Sequence, residues 1–454
     1  MDDPEACDLD DAVHVSRLPE GWLLRVAVAD VASCVTPGSA LDMEARLRGN
    51  SVYFPGLTLP MLPERLSGNL CSLLPGEDRS CLVFSLSYAA DGLCTGFAVR
   101  RAVIRSVARV TYEEADSGCV PEEMTELAAL LERQAERRVI MDLALPEPGL
   151  RLNAAGDVAE IVARPRTSAR RMIELFMVEA GRMAGASLAD RCADDVMFRC
   201  HAPPPLAQLR RLFRAVCPDA PRALSHRLDR RELLREVRRM AQSSPVAGHA
   251  LWKILRPAEY SMTSGSHAGL ALPVYTQVTS PIRRYADLLA HRSLTGQKAG
   301  KPDAALAQRL IRAERHAATA VREVISRAAG AFLLRENIQH EAIILESGRN
   351  QAEVMLLSCG LTGYCTVPPI VTGAKMSERE TFRPPDQGAA LYSLTDDHPQ
   401  PRPPVSDQVL PAAEISHEQN RRKNGFPRAG TSVRVRPTET CGQVFPPEFH
   451  LIPE

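Results

Sequence analysis

Of the aspartates in the first eleven residues, MDDPEACDLDD, four could act together: Asp2, Asp8, Asp10 and Asp11. Like charges packed so closely raise one another's pKa unless a cation neutralises them. Oxygen-only donors suit a hard divalent ion such as Mg2+, which takes few protein carboxylates and keeps open positions for water and phosphate oxygens. For an acidic run taken alone, a solvated terminus is the competing reading. The apolar run Ala12-Val13-His14-Val15 follows at once and reads as a strand.

A second group able to do chemistry lies in HAGLALPVYTQVTSPIRRYADLLAHR, residues 267–292. Thr279-Ser280-Pro281 is expected to open a helix, with Ser280 as its cap and Pro281 in the first turn. The free N–H groups and positive dipole end of such a helix form a phosphate site. Arg283 and Arg284 are expected in that first turn, where a cation has the wrong sign for the dipole. Conflict between a local rule and the sequence is expected at functional sites. It points to a bound phosphate rather than a structural ion pair. Thr279, Ser280, Arg283 and Arg284 are therefore candidate phosphate-site residues, whereas His267 is expected to be structural.

The elements that must position these groups can be read from periodicity. Residues 12–35 read as a hairpin with a turn at Pro19-Glu20-Gly21 and a mostly buried strand from Leu23 to Val31. Asp30 ends that strand, either orienting a ligand beside the acidic cluster or capping a helix over residues 39–49. Four prolines across residues 50–75 exclude a regular helix or a central strand there. Tyr53 and Phe54 in that loop offer faces for base stacking, although plain core is the commoner role of such aromatics. Leu82, Phe84, Leu86 and Tyr88 alternate, and Ala90-Asp91-Gly92 turns the chain into a second strand. Helical periods follow from about residue 121, over 168–190, twice within 204–240, and over 303–338. The ten arginines from Arg210 to Arg239 read as a solvated face, because Leu228, Leu233, Leu234 and Val237 define a buried side. Short strands follow residue 340. Residues 374–430 are Pro-rich and polar, as in loops or disorder, and Thr431 to Arg436 is strand-like.

With 454 residues, 45% of them hydrophobic and 24% charged, the chain has room for two or three globular domains. Lys plus Arg equals Asp plus Glu at 55 each, so any basic, nucleic-acid-binding surface must be local. The twelve cysteines include no CxxC pair. No signal peptide or long apolar segment is legible, so the expectation is a cytoplasmic protein with reduced thiols and no membrane association.

DDPEACDLDDAV resembles the D-x5-D-x-D-D motif of the RNase II family (RNB domain) of exoribonucleases, and YTQVTSPIRRYADLLAHR resembles its second signature. VAVADVASCVTPGSALD, SVYFPGLTLPMLPERLSGNLCSLLPG and MFRCHAPP resemble further segments in the family's order. The resemblance covers about residues 1–335. It implies an α+β fold, with an RNB catalytic domain (a mixed sheet core with surrounding helices) at 1–338. A degenerate S1/OB-like small β-barrel at 339–454 would follow. It also implies processive 3′-to-5′ hydrolysis of single-stranded RNA to nucleoside 5′-monophosphates by a monomer using Mg2+ or Mn2+.

Carried over by position, Asp2, Asp8, Asp10 and Asp11 would hold the metals, and Arg283 would contact the scissile phosphate. Asp10, Asp11 and Arg283 would be catalytic, while Thr279, Ser280 and Arg284 would count among the RNA-binding residues. Tyr53 matches the family's nucleotide clamp, and Tyr112 and Glu174 fall where the family reads the terminal riboses. The sequence departs from the pattern in several places. Val321 stands where a Glu late in the long helix is expected, with Glu323 two positions on. No aromatic lies between Tyr112 and Phe176 to complete the clamp. Cold-shock-like OB domains usually precede this domain, and a metal ligand at residue 2 lacks a preceding strand. The natural chain is therefore expected to start upstream of Met1. A catalytically weakened RNA-binding relative is the alternative reading.

Overall fold

The computed structural model describes residues 1–454 apart from 142, 144, 165, 192–194, 298–299, 349–350, 367–427 and 453–454. Most of the Pro-rich stretch expected to be loops or disorder, 374–427, lies outside the described residues.

The opening hairpin is β1 (Asp11–Leu18) and β2 (Gly21–Ala29), antiparallel from Asp11 opposite Val28 to Leu18 opposite Gly21. Two short helices follow, α1 (Val31–Cys34) and α2 (Ala40–Arg48). Ser39 caps α2, its side chain accepting the Asp42 N–H at 3.2 Å, so the capping role considered for Asp30 falls elsewhere. Asp30 Oδ2 instead lies 3.0 Å from Arg101 Nε. The Pro-rich loop forms a small hairpin, β3 (Val52–Phe54) with β4 (Leu57–Leu59), and one π-helical turn at Leu66–Leu70. The long hairpin β5 (Asp78–Ala89) and β6 (Cys94–Arg105) completes an antiparallel sheet of order β1-β2-β5-β6.

Next come α3 (Tyr112–Asp116), α4 (Glu122–Arg138), the hairpin β7 (Glu147–Leu152) and β8 (Val158–Arg164), and α5 (Ser168–Asp190). Successive strand residues face opposite sides. Leu24, Val26, Val28, Leu82, Phe84 and Leu86 pack in one core with Leu127, Leu131 and Phe176 of the helices. Ala27, Ala29 and Cys81 join a second core containing Ile282, Leu288 and Leu289. Coverage on both faces explains why β2 is nearly continuously apolar.

β9 (Phe198–Cys200) is followed by α6 (Leu206–Val216), α7 (Leu224–Arg227), α8 (Arg230–Ser243) and α9 (Pro245–Ile254), then by β10 (Glu259–Ser261), which pairs back onto β9. Leu233 and Val237 are buried there beside Leu209, Phe213 and Leu251. α10 (Tyr285–Thr295) and the long α11 (Ala304–Glu336) lead to a closed barrel. Its strands are β11 (His340–Ser347), β12 (Gln351–Leu356), β13 (Thr362–Thr366), β14 (Ser432–Pro437) and β15 (Glu448–Ile452). Their order is β11-β12-β13-β15-β14. Ile344, Val354, Val435 and Phe449 fill the barrel, and Ala329 and Leu333 of α11 pack into the same core. The fold is thus α+β, with an OB-like barrel after the helical layer.

Candidate active site

The acidic segment runs straight into β1 and is fixed from two sides. Ala29 N–H donates to Asp10 O at 2.9 Å, and Leu73 N–H donates to Leu9 O at 2.9 Å. Ser72 Oγ accepts the Leu9 N–H at 3.0 Å and donates to Cys7 O at 2.7 Å.

Facing it is the segment 279–284, whose geometry corrects one expectation. The helix starts at Tyr285 rather than Pro281, and Arg284 occupies its N-cap position with extended backbone. The amides expected to greet a phosphate are already used. Ser280 N–H donates to Asp287 Oδ1 at 2.8 Å, Ile282 N–H donates to Asp10 Oδ1 at 2.8 Å, and Tyr285 N–H donates to Gly49 O at 2.9 Å. Ser280 therefore does not cap the helix; its hydroxyl accepts from Arg283 Nη2 at 2.8 Å. Thr279 and Ser280 are both buried. The close approach behind this segment depends on glycine. A Cβ on Gly181 of α5 would come within 2.5 Å of Tyr275 and 2.6 Å of Thr276 O.

The two arginines divide. Arg284 turns inward, its Nη2 2.8 Å from Asp287 Oδ1. Burial opposes its charge, yet Asp287, Tyr260 and Tyr275 hold its pKa above the ordinary range. An internal ion pair, not a phosphate, thus answers the charge conflict at Arg284. Arg283 stays 43% exposed, with Nε 3.3 Å from Asp10 Oδ2.

Asp10 is 5% exposed, and burial pushes its carboxyl well above the usual range against the opposing pull of Arg283 and the Ile282 amide. Its Oδ2 has no hydrogen-bond partner beyond that ion pair. Burial also lifts Asp11 to about 6, with Asp2 adding repulsion while the terminal ammonium and Arg283 oppose the rise. Met1 N lies 3.4 Å from Asp2 Oδ2. A buried carboxylate short of partners is costly. An oxygen-only set with an orphaned, desolvated member fits a hard divalent cation. Among the described residues, no three of the four carboxylates have oxygens within 4.8 Å of one another. Like charges with nothing between them are expected to stand apart.

The other expected residues gather here. Tyr53, 39% exposed on β3, donates its hydroxyl to Asp8 Oδ2. Burial and the Asp8 hydrogen bond push its pKa up, so it stays protonated. Tyr112 opens α3 behind a Thr111–Glu114 capping box, and the Arg170 guanidinium sits over its ring at 4.1 Å. Burial and the Asp2 charge raise Tyr112 to about 12. Arg170 also pairs with Asp3 at 2.5 Å. Glu174, one turn along α5, pairs with Arg171 at 3.0 Å. It lines a cavity of about 590 Å³ together with Arg164, Arg170 and Arg171. His267 is structural. Its Nδ1 accepts the Leu270 N–H at 3.2 Å, and burial with the neighbouring His201 lowers it to about 4. Glu323 pairs with Arg327 of its own helix at 2.6 Å.

Two supports escaped the sequence reading. Ser72 carries no signal beyond lying in a loop. The Tyr260 hydroxyl meets Glu314 and Gln277, while Arg199 pairs with Glu314 at 2.8 Å and stacks 4.5 Å over Tyr260. That network backs Arg284 through residues far apart in sequence. A separate cluster, His249, Glu346 and Glu353, has ligand atoms within 4.8 Å of one another where α9 meets the barrel. Lys253 Nζ contacts both glutamates there, so a protein cation already neutralises it.

Residues 1–298 match the RNB domain family. The chain belongs to that family. Ribonuclease R of Chlamydia muridarum is 35% identical over 308 residues, covering 65% of this chain and 44% of that protein. The Thermotoga maritima Ribonuclease R is 36% identical over 316 residues, with the same coverage of 65% and 44%. Ribonuclease R of Escherichia coli K12 is 34% identical over 315 residues, covering 65% and 38%. The chain therefore spans less than half the length of these curated relatives. Mycoplasma genitalium RNase R in complex with ribose methylated single-stranded RNA superposes with a TM-score of 0.80 at 22% identity, over 99% of this chain and 70% of that one. Yeast Ssd1, described as a pseudonuclease, gives 0.63 at 18% identity over 79% and 47%. These structural likenesses establish the fold alone.

Proposed function

We propose that this chain is a processive 3′-to-5′ exoribonuclease of RNase II type that hydrolyses single-stranded RNA to nucleoside 5′-monophosphates. It would act as a monomer in the cytoplasm. The observation that carries this reading is Arg283, half-exposed and ion-paired at 3.3 Å to a buried, incompletely satisfied Asp10. Its similarity to the Ribonuclease R proteins supports it.

Asp2, Asp8, Asp10 and Asp11 would hold the metal, Mg2+ or Mn2+. A bound divalent ion supplies an ionised water near neutral pH and a counter-charge for the leaving oxygen. Arg283 presents a guanidinium whose orientation is fixed by Ser280 Oγ at 2.8 Å. Such a preorganised cation stabilises the phosphate as it gains charge. Arg284, Ser280 and Thr279 act behind it, bracing the segment. Tyr53 offers a ring face for the terminal base, and stacking of this kind tolerates any sequence. Tyr112 and Glu174 would read the ribose 2′-OH, the group that separates RNA from DNA. The barrel gives RNA a second surface to track.

A time course on 5′-labelled single-stranded RNA with Mg2+, beside Asp10→Asn and a DNA control, tests the reading. A short labelled end product with few intermediates, absent in the variant and on DNA, is expected. Intact RNA with binding retained in a gel shift would replace the reading with an RNA-binding protein that does not cut.

A further inference from the structure

The turn that carries Asp2 is gripped by one neighbouring stretch, residues 109–112. Asp2 N–H donates to Val110 O at 3.4 Å. Arg109 Nη2 donates to Asp3 O at 2.7 Å and to Pro4 O at 2.9 Å. Tyr112 ends that stretch and opens α3. One side chain from a third element spans both. Arg170 of α5 meets the Asp3 carboxylate at 2.5 Å and lays its guanidinium 4.1 Å over the Tyr112 ring. We propose that Arg170 is a positioning residue that fixes Tyr112 relative to the metal-binding turn, so that selection of RNA over DNA and affinity for Mg2+ both depend on it. Selection of RNA here rests on the ribose-reading role given to Tyr112 above.

The base from which Arg170 reaches is fixed. Asp116, at the far end of α3, accepts from Ser168 Oγ at 2.8 Å and from the Ala169 N–H at 2.9 Å. Thr167 caps α5, its hydroxyl accepting the Arg170 N–H at 3.3 Å. Both ends of α3 are thus tied to the first turn of α5. A guanidinium suits this span because its planar fork stacks on a ring and bonds a carboxylate at once. Arg170 also separates the two adjacent aspartates, answering the charge of Asp3 while Asp2 is the one assigned to the metal.

Folding stability is not what these contacts supply. Arg170 and Asp3 are 42% and 60% exposed, and an exposed pair contributes little. Arg170 also lines the cavity shared by Glu174, which puts the Tyr112 ring one side chain away from that space.

Arg170→Gln, compared with the wild-type chain, tests this. In EDTA, fluorescence anisotropy gives the affinity for a short single-stranded RNA and for the same RNA ending in two 2′-deoxynucleotides. The preference for the all-ribose oligomer should fall by about 2–10-fold in the variant, the worth of one hydrogen bond. Arg164→Gln, on the wall of the same cavity, should weaken both oligomers alike and leave the preference unchanged. The Mg2+ concentration at half the rise in Tm should increase about threefold or more in Arg170→Gln, short of the ~10–100-fold cost of losing a ligand's direct partner. Arg170→Lys returns the charge opposite Asp3 without the planar stack, so it should restore the Mg2+ response but only part of the preference. An unchanged preference or an unchanged Mg2+ response in Arg170→Gln, beside a wild-type chain that does discriminate, would overturn the proposal. So would a metal-free Tm well below that of the wild-type chain, which would make Arg170 a residue of the fold alone. A wild-type chain that binds both oligomers equally would instead sink the ribose role of Tyr112 and the selection drawn from it, while the Mg2+ response would still judge the hold on the acidic turn. Neither readout needs cutting, so an inactive chain would refute the exoribonuclease reading alone.

Discussion

Carboxylates gather in two places, the amino-terminal segment and the seam between α9 and the barrel, and they are treated in opposite ways. At the seam, the His249 hydrogen bond and Lys253 pull Glu353 down to about 2. At the amino-terminal segment, burial pushes Asp11 up to about 6 and Asp10 higher than a carboxylate ordinarily stands. The seam has the tighter ligand geometry, yet its charge is already cancelled from within the protein. The looser site keeps an excess of negative charge that an added cation would remove. Unmet charge, more than the proximity of acids, distinguishes the candidate site from the neutralised seam.

Four changes should break or sharpen this contrast. Asp10→Asn should lower RNA hydrolysis by about 10³-fold or more, beyond the ~10–100-fold cost of losing a ligand's supporting partner. Single-turnover rates check this, and the seam variant Glu353→Gln should leave them unchanged. Arg283→Lys keeps the charge but loses the planar fork. Its cost should be about 10²-fold in rate, with RNA affinity changed far less. Mg2+ should stabilise the wild-type chain by about 2.7 kcal/mol at a hundredfold excess over Kd. Thermal unfolding should show that gain abolished by Asp8→Asn and retained by Glu353→Gln. The smallest effect concerns acid. Because the folded-state pKa of Glu353 is depressed, its contribution is present above the unfolded value and fades as pH falls from about 4.5 toward 2. Its partial exposure limits this to about 1 kcal/mol. Glu353→Gln should flatten that part of the Tm profile, and an unchanged profile would dissolve the contrast.

Local patterns were legible wherever one element decided the outcome. Alternation at Leu82, Phe84, Leu86 and Tyr88 is the inward face of β5, and the prolines of 50–75 hold that stretch to a small hairpin and a single turn. Ser280 and Pro281 satisfy the local rules for a helix start, yet α10 begins at Tyr285. Asp10 and Asp287 compete for the Ile282 and Ser280 amides, and that competition is visible only when the two segments meet. Dipole logic makes Arg284 a phosphate ligand. Asp287, three residues on, was the signal that it had an internal partner.

The sequence by itself determined which family the chain belongs to and which residues are candidates for its chemistry, because motif spacing and side-chain type are properties of the chain. It also determined the sheet strands and main helices, whose periods are local. Only the tertiary structure decided how the charge is balanced. Desolvation of Asp10, the division of labour between Arg283 and Arg284, and the neutral seam around Lys253 all depend on which distant groups share a buried volume. Electrostatic energies in a folded protein depend on distance and burial rather than on position along the chain.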